Sequence, residues 1–197
     1  MGFFRLDLFN HLIMNTISLN QLIEMEKTFN STLQNYWREN NFLSLQWWIL
    51  VLLCIIPPII WFKLVDKMRI TDITLFGLFY GISAIILDSI GSFALVWFYP
   101  VRLFPFLYPQ LYPYDTCILM IPNMLVYQRW GNNFKKFFLF TGLLSAFQAF
   151  LGEPLMEWLR IYKELTWKHI YSFPIYWILG IFCWLNITCF KKIEQRQ

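Results

Sequence analysis

Two stretches in the second half of the chain hold the groups best suited to chemistry. Gly152-Glu153-Pro154-Leu155-Met156-Glu157-Trp158 is followed by Trp167-Lys168-His169-Ile170-Tyr171-Ser172-Phe173-Pro174. Carboxylates, a histidine and a tyrosine thus sit at the junction of two apolar runs. An ionisable group there is costly unless it has a partner or a task. Glu153, Glu157, His169 and Tyr171 are therefore candidate ligand-binding residues. Arg102 and Asp115, from an earlier connection assigned to the same side, complete the set. An Arg102–Glu153 pair would be charge-assisted and geometrically specific. It would serve as a bridge between two loops or as part of a ligand site. Pro154 lacks a backbone donor and crowds the carbonyl of Phe150, so the helix is expected to bend beside Glu153.

Two further polar groups lie inside apolar runs. Asp88 shares a helical face with Gly77, Gly81, Ala84 and Ser92, and Gln148 at comparable depth is its expected hydrogen-bond partner. Gly142, Ser145, Ala149 and Gly152 form a second small-residue face. Small faces let helices approach closely in lipid, so these two are expected to pack together or against the remaining helices. No catalytic residues are assigned: the chain has no G-x-S-x-G, H-E-x-x-H or P-loop pattern. Its only histidines, His11 and His169, belong to distant segments. Cys54, Cys117, Cys183 and Cys189 have no C-x-x-C spacing, so neither a metal site nor a disulfide framework is expected, and no cofactor.

Composition identifies the elements that must position these groups. Of 197 residues, 58% are hydrophobic and 21% aromatic, and only 14% are charged. A soluble domain carries about 25% charged residues. Mean hydropathy is +0.48. The expected fold is all-α: an integral membrane helical bundle of about five transmembrane helices plus an N-terminal amphipathic helix. The spans are placed at 42–62, 73–98, 114–129, 134–156 and 171–190, each near the length a bilayer needs except the third, which is short and contains Pro122. Pro57-Pro58 should kink or end the first span.

Segment 1–41 precedes the bundle, and 42–197 forms it. Met1–Asn15 carries Arg5, Asp7 and His11 and lacks a small-residue cleavage site, which argues against a signal peptide. Ser18 to Arg38 reads as a helix with Leu22, Met25, Phe29, Leu33 and Tyr36 on one stripe. Ser18 and Gln21 resemble a capping box. The helix would lie on the membrane surface or pack on the bundle.

Tyr99-Pro100, Phe104-Pro105, Tyr108-Pro109 and Tyr112-Pro113 repeat an aromatic–proline unit, which predicts a stiff, extended loop acting as an interfacial anchor or a lid. Tryptophans 47, 48, 61, 97, 130, 158 and 167 fall near span ends, as interfacial belts do, while Trp177 and Trp184 read as packing residues. Lys63, Lys67 and Arg69, then Arg129, Lys135 and Lys136, then Lys191, Lys192 and Arg196 crowd short segments. The positive-inside rule then puts the N-terminal segment outside and the C-terminus in the cytoplasm. The net charge of +4 is scattered between spans, which excludes a nucleic-acid footprint.

Tyr99-Pro100-Val101-Arg102-Leu103-Phe104-Pro105, Gly152-Glu153-Pro154-Leu155, Trp158-Leu159, Ile161-Tyr162-Lys163 and Trp167 to Tyr176 carry a resemblance. They resemble an uncharacterised family of small multipass membrane proteins from spore-forming Firmicutes, catalogued through a clostridial locus name and without an assigned activity. The similarity runs from about Trp47 to Phe190. It implies an all-helical inner-membrane protein with its functional emphasis on the outer-side motifs.

The residues themselves point to a non-enzymatic protein of the cytoplasmic membrane with an outward-facing polar pocket, for a lipid or small ligand or a membrane assembly. Its expected partners are the bilayer and either a second copy or another membrane protein. Two alternatives stay open: a small proton- or ion-coupled transporter subunit using Asp88 and Glu153, and a membrane-embedded enzyme acting on a lipid or isoprenoid. Whether Asp88 and Glu153 line one cavity separates these readings.

Overall fold

The computed structural model describes residues 17–106 and 113–194. The readings made on Met1–Asn15, Tyr108-Pro109, Tyr112 and Arg196 fall outside these residues. The described chain is almost entirely helical, as its apolar runs predict.

Helix α1 (Leu19–Asn40) starts at Ser18, whose hydroxyl accepts from the Gln21 amide while the Gln21 side chain accepts from the Ser18 amide. This reciprocal pairing is the expected capping box. No residue of α1 is buried, and Leu22, Met25 and Phe29 remain about half exposed or more. Its far end is fastened to the aromatic–proline loop. Trp37 Nε1 donates to the Arg102 carbonyl at 2.9 Å, and the buried Asn41 side chain donates to Pro100 O and accepts from Arg102 N, each at 3.1 Å.

Four helices are long and apolar enough to cross a membrane: α2 (Leu45–Leu64), α3 (Ile70–Phe93, entered through a 3₁₀ turn at Lys67–Arg69), α5 (Phe134–Trp158) and α6 (His169–Glu194). They carry rows of exposed apolar side chains at helical spacing, such as Leu52, Ile56 and Ile60 on α2 and Ile82, Ile86 and Ile90 on α3. Contiguous apolar surface on this scale suits lipid rather than water.

The fifth expected span is shorter than these. It consists of a π-helical turn, Tyr114–Leu119, continued by α4 (Met120–Trp130). Asp115, Ile121, Asn123, Met124 and Tyr127 are all buried. At its far end, Gln128 accepts from the Asp66 amide and donates to Leu64 O, both at 3.0 Å, while Arg69 Nη1 donates to Gln128 O at 3.0 Å. The segment therefore runs between the same two ends of the bundle as the long helices. A helix wrapped by others does not need the full length of a lipid-facing one.

One boundary is corrected, and two alternatives left open by the residue order are narrowed. Pro57 and Pro58 do not end α2, which continues to Leu64. Helix α3 ends at Phe93 rather than at residue 98. Leu95 turns left-handed (φ 52°), its amide bonds Ser92 O, and the Val96 amide bonds Gly91 O. This Schellman ending frees Trp97-Phe98 to form strand β1, antiparallel to β2 (Lys163–Glu164).

Of the two arrangements expected for the small-residue faces, packing against other helices is the one found. Gly77 and Gly81 of α3 receive Met124 and Met120 of α4, and Gly142 of α5 receives Trp177 of α6. Helix α4 packs against both α3 and α5. At the end of the bundle where Asp72 lies, Phe76 of α3 stacks on Tyr127 (centroids 4.4 Å apart) and meets Phe137 of α5 edge-on at 6.0 Å.

Candidate functional site

A cavity of about 310 Å³ lies at the opposite end of the bundle, lined by residues of α2, α3, the π-turn before α4, α5, α6 and the two connections. Most of its wall is aliphatic, from residues such as Leu50, Ala84, Ile118, Met156 and Leu179. Three carboxylates interrupt that wall: Asp88, Asp115 and Glu153, 6%, 3% and 3% exposed.

Asp88 is held by the connection that follows its own helix. Its Oδ1 accepts from Trp97 Nε1 at 2.8 Å and from Tyr99 OH at 2.6 Å. Gln148, the expected partner, is bonded elsewhere. Gln148 Nε2 donates to Ile118 O at 3.1 Å and Leu119 O at 3.4 Å, and its Oε1 accepts from Asn123 Nδ2 at 3.3 Å. Asn123 also donates to Leu119 O and accepts from Thr141 Oγ1. The reason is local: a π-turn widens the backbone at Tyr114–Leu119, and buried carbonyls there need donors. Gln148 and Asn123 supply them.

Glu153 also sits on a widened turn. The π-helical segment Gln148–Gly152 precedes it, and the Glu153 amide bonds Gln148 O. A wide turn within one continuous helix thus stands just before Pro154. Glu153 Oε1 accepts from Tyr176 OH, and Oε2 lies 3.0 Å from His169 Nδ1. The Arg102–Glu153 pair does not form. Arg102 is buried, donates through Nε to Tyr99 O at 3.3 Å, and places its guanidinium 5.4 Å from the centre of the Phe98 ring. The Arg102 backbone is tied instead to the end of α1, its carbonyl accepting from Trp37 and its amide donating to Asn41.

His169, the first residue of α6, collects carboxylates. Its Nδ1 is 2.7 Å from Glu164 Oε1 as well as 3.0 Å from Glu153, and its Nε2 is 3.4 Å from Glu157 Oε2. Ligand atoms of Glu153, Glu164 and His169 all lie within 4.8 Å of one another, so among the described residues these three form the group with the spacing to hold a metal ion. Burial pushes the Glu164 carboxyl above its ordinary range, opposed by His169. The Tyr99 and Tyr162 hydroxyls are pushed up by burial first and then by neighbouring carboxylates, Asp88 for Tyr99 and Glu153 for Tyr162.

Of the sequence-identified residues, Glu153, Glu157 and His169 come together, and Asp115 joins Asp88 and Glu153 in the cavity wall. Tyr171 stays about half exposed, edge-on to Trp167 at 5.5 Å. Sequence reasoning missed Tyr99, Tyr162, Glu164 and Tyr176 as parts of the site. One signal was present for the last: Ser172 and Tyr176 are four apart and share a helical face with Leu179. No protein-family model, curated protein or solved structure matches this chain.

Proposed function

We propose that this chain is a non-enzymatic multipass protein of the cytoplasmic membrane whose cavity binds an apolar or lipid-derived small molecule entering from the bilayer. One observation carries the reading. Carboxylates from three separate elements line one aliphatic cavity, and its wall also includes Leu87 and Ile90, which are 42% and 62% exposed on the outer surface of α3. A ligand can therefore leave lipid and meet polar groups without crossing water. Mostly apolar pockets with a few placed polar groups are the usual form of small-molecule sites. In this reading the cavity and α1 face outward, α1 lays its Leu22–Met25–Phe29 stripe on the bilayer, and the basic segments from Lys63 to Arg69 and from Arg129 to Lys136 are cytoplasmic. It agrees with membership of the multipass family that the Tyr99–Pro105 and Gly152–Tyr176 motifs resemble.

The test is equilibrium binding of an uncharged apolar fluorophore, 1-aminoanthracene, to the purified chain in dodecyl maltoside. Saturable binding at one site is expected, abolished by Ala94→Trp, which fills the mouth from an exposed position. Signal that never saturates, or that Ala94→Trp leaves intact, refutes the reading.

A further inference from the structure

The cavity has an electrostatic character that its aliphatic wall conceals. Asp88 Oδ2 and Asp115 Oδ2 are both buried and accept no hydrogen bond among the described residues. Each belongs to a side chain more than nine-tenths buried in the cavity wall. A buried acceptor without a donor is expensive, and the cost is relieved when a ligand supplies the missing partner. Glu153 adds a third acidic group whose own bonds come from Tyr176 and His169.

Aromatic side chains line the same space: Trp97, Tyr99, Tyr162 and Tyr176 among them. Ring faces carry negative potential, and aromatic cages with nearby carboxylates are how proteins recognise ammonium groups. The Tyr99 and Tyr162 hydroxyls, both held protonated by burial and by carboxylates, lie in the same negative field. An anionic headgroup would meet like charge here. A small hydrated metal ion needs several convergent oxygens, and Asp88 and Asp115 offer it one unpaired oxygen each. An organic cation satisfies both surfaces at once, because its charge is spread over carbon and its body is apolar.

We propose that the cavity selects an organic ammonium ion with an apolar body, its charge facing Asp88 and Asp115 and its flanks against Trp97, Tyr99 and Tyr162. This rests on the ligand-binding reading above and names the class of ligand.

The experiment is isothermal titration of the full chain in dodecyl maltoside with benzyltrimethylammonium and, separately, with its carbon isostere neopentylbenzene, using empty micelles as blank. The cation is expected to bind at least tenfold more tightly than the isostere. Asp115→Asn and Asp88→Asn should each shrink that ratio while cooperative thermal unfolding is kept. Equal affinities overturn the proposal and leave the apolar-ligand reading standing. Binding of neither compound overturns both. A preference for the cation that survives in both variants overturns the assignment to these carboxylates.

Discussion

Tyr99 donates its hydroxyl to Asp88 Oδ1 at 2.6 Å, from a position past the end of the helix that carries the aspartate. The contact exists because α3 stops in a left-handed residue at Leu95 and the chain folds back over its own last turn. Trp97 Nε1 reaches the same oxygen at 2.8 Å, so two aromatic side chains close the cavity by grasping its acid. Tyr99→Phe should cost about 0.5–1.5 kcal/mol, the net worth of one hydrogen bond, because Trp97 still donates to the same oxygen. Asp88→Asn keeps the acceptor and should cost less. Thermal unfolding in detergent measures both, and an equal loss in the two variants would refute this account.

The same closure requires Gly91. A methyl group there would overlap the Trp97 indole, a rigid ring already bonded to Asp88. Gly77 instead faces the flexible thioether of Met124. Gly91→Ala is therefore expected to destabilise by about 1–3 kcal/mol, as overpacking does. Gly77→Ala should cost less, because methionine re-packs readily. The reverse order in denaturation midpoints would show that Trp97 is free to move.

Glu153 and His169 join α5 to the start of α6. Residues in one hydrogen-bonded network couple, typically by about 0.5–3 kcal/mol. A double-mutant cycle of Glu153→Gln and His169→Ala should show such coupling. Arg102→Gln combined with Glu153→Gln should show almost none, because Arg102 is turned to Tyr99 and Phe98. Strong coupling in the second cycle would contradict the observed arrangement.

Glu164 makes stability depend on pH. Its carboxyl is pushed up by burial on β2, with His169 opposing the shift and Glu157 adding to it. The folded state then holds a proton that the unfolded chain releases near its ordinary value of about 4.3. The stabilisation from protonation is complete below that value and is lost as pH rises through the folded-state value. Melting temperatures of the wild type should therefore fall across this window more steeply than those of Glu164→Gln. Parallel curves would remove Glu164 from the titration.

Orientation is tested with single cysteines at Ser31 and Met68, both exposed, after replacing Cys54, Cys117, Cys183 and Cys189. An impermeant thiol reagent should label the Ser31 site in intact cells and the Met68 site only after permeabilisation. The opposite pattern inverts the topology proposed above.

Much of the architecture was legible in the residue order because its causes are short-range. Ser18 and Gln21 are one helical turn apart, so the start of α1 could be read directly. At the prolines the residue order left more than one local outcome open, and backbone context chose between them. Pro57 and Pro58 sit inside α2, and Pro154 is accommodated by a widened turn at Gln148–Gly152. The helix expected at 114–129 forms near those bounds, but its π-turn was not readable, and that turn is what claims Gln148 away from Asp88.

Residue order by itself determined that helices must form and that four of them are long enough to cross a membrane. In lipid a backbone satisfies its hydrogen bonds internally, so a long apolar run has little choice of structure. It also marked Glu153, Glu157 and His169 as groups out of place in an apolar setting. Only the tertiary structure decided their partners. Tyr176 reaches Glu153 across 23 residues, and Glu164 meets His169 because a two-residue ladder with Trp97 holds it there. Such contacts depend on how α3, α5 and α6 pack and on where their connections turn. No spacing along the chain encodes those distances.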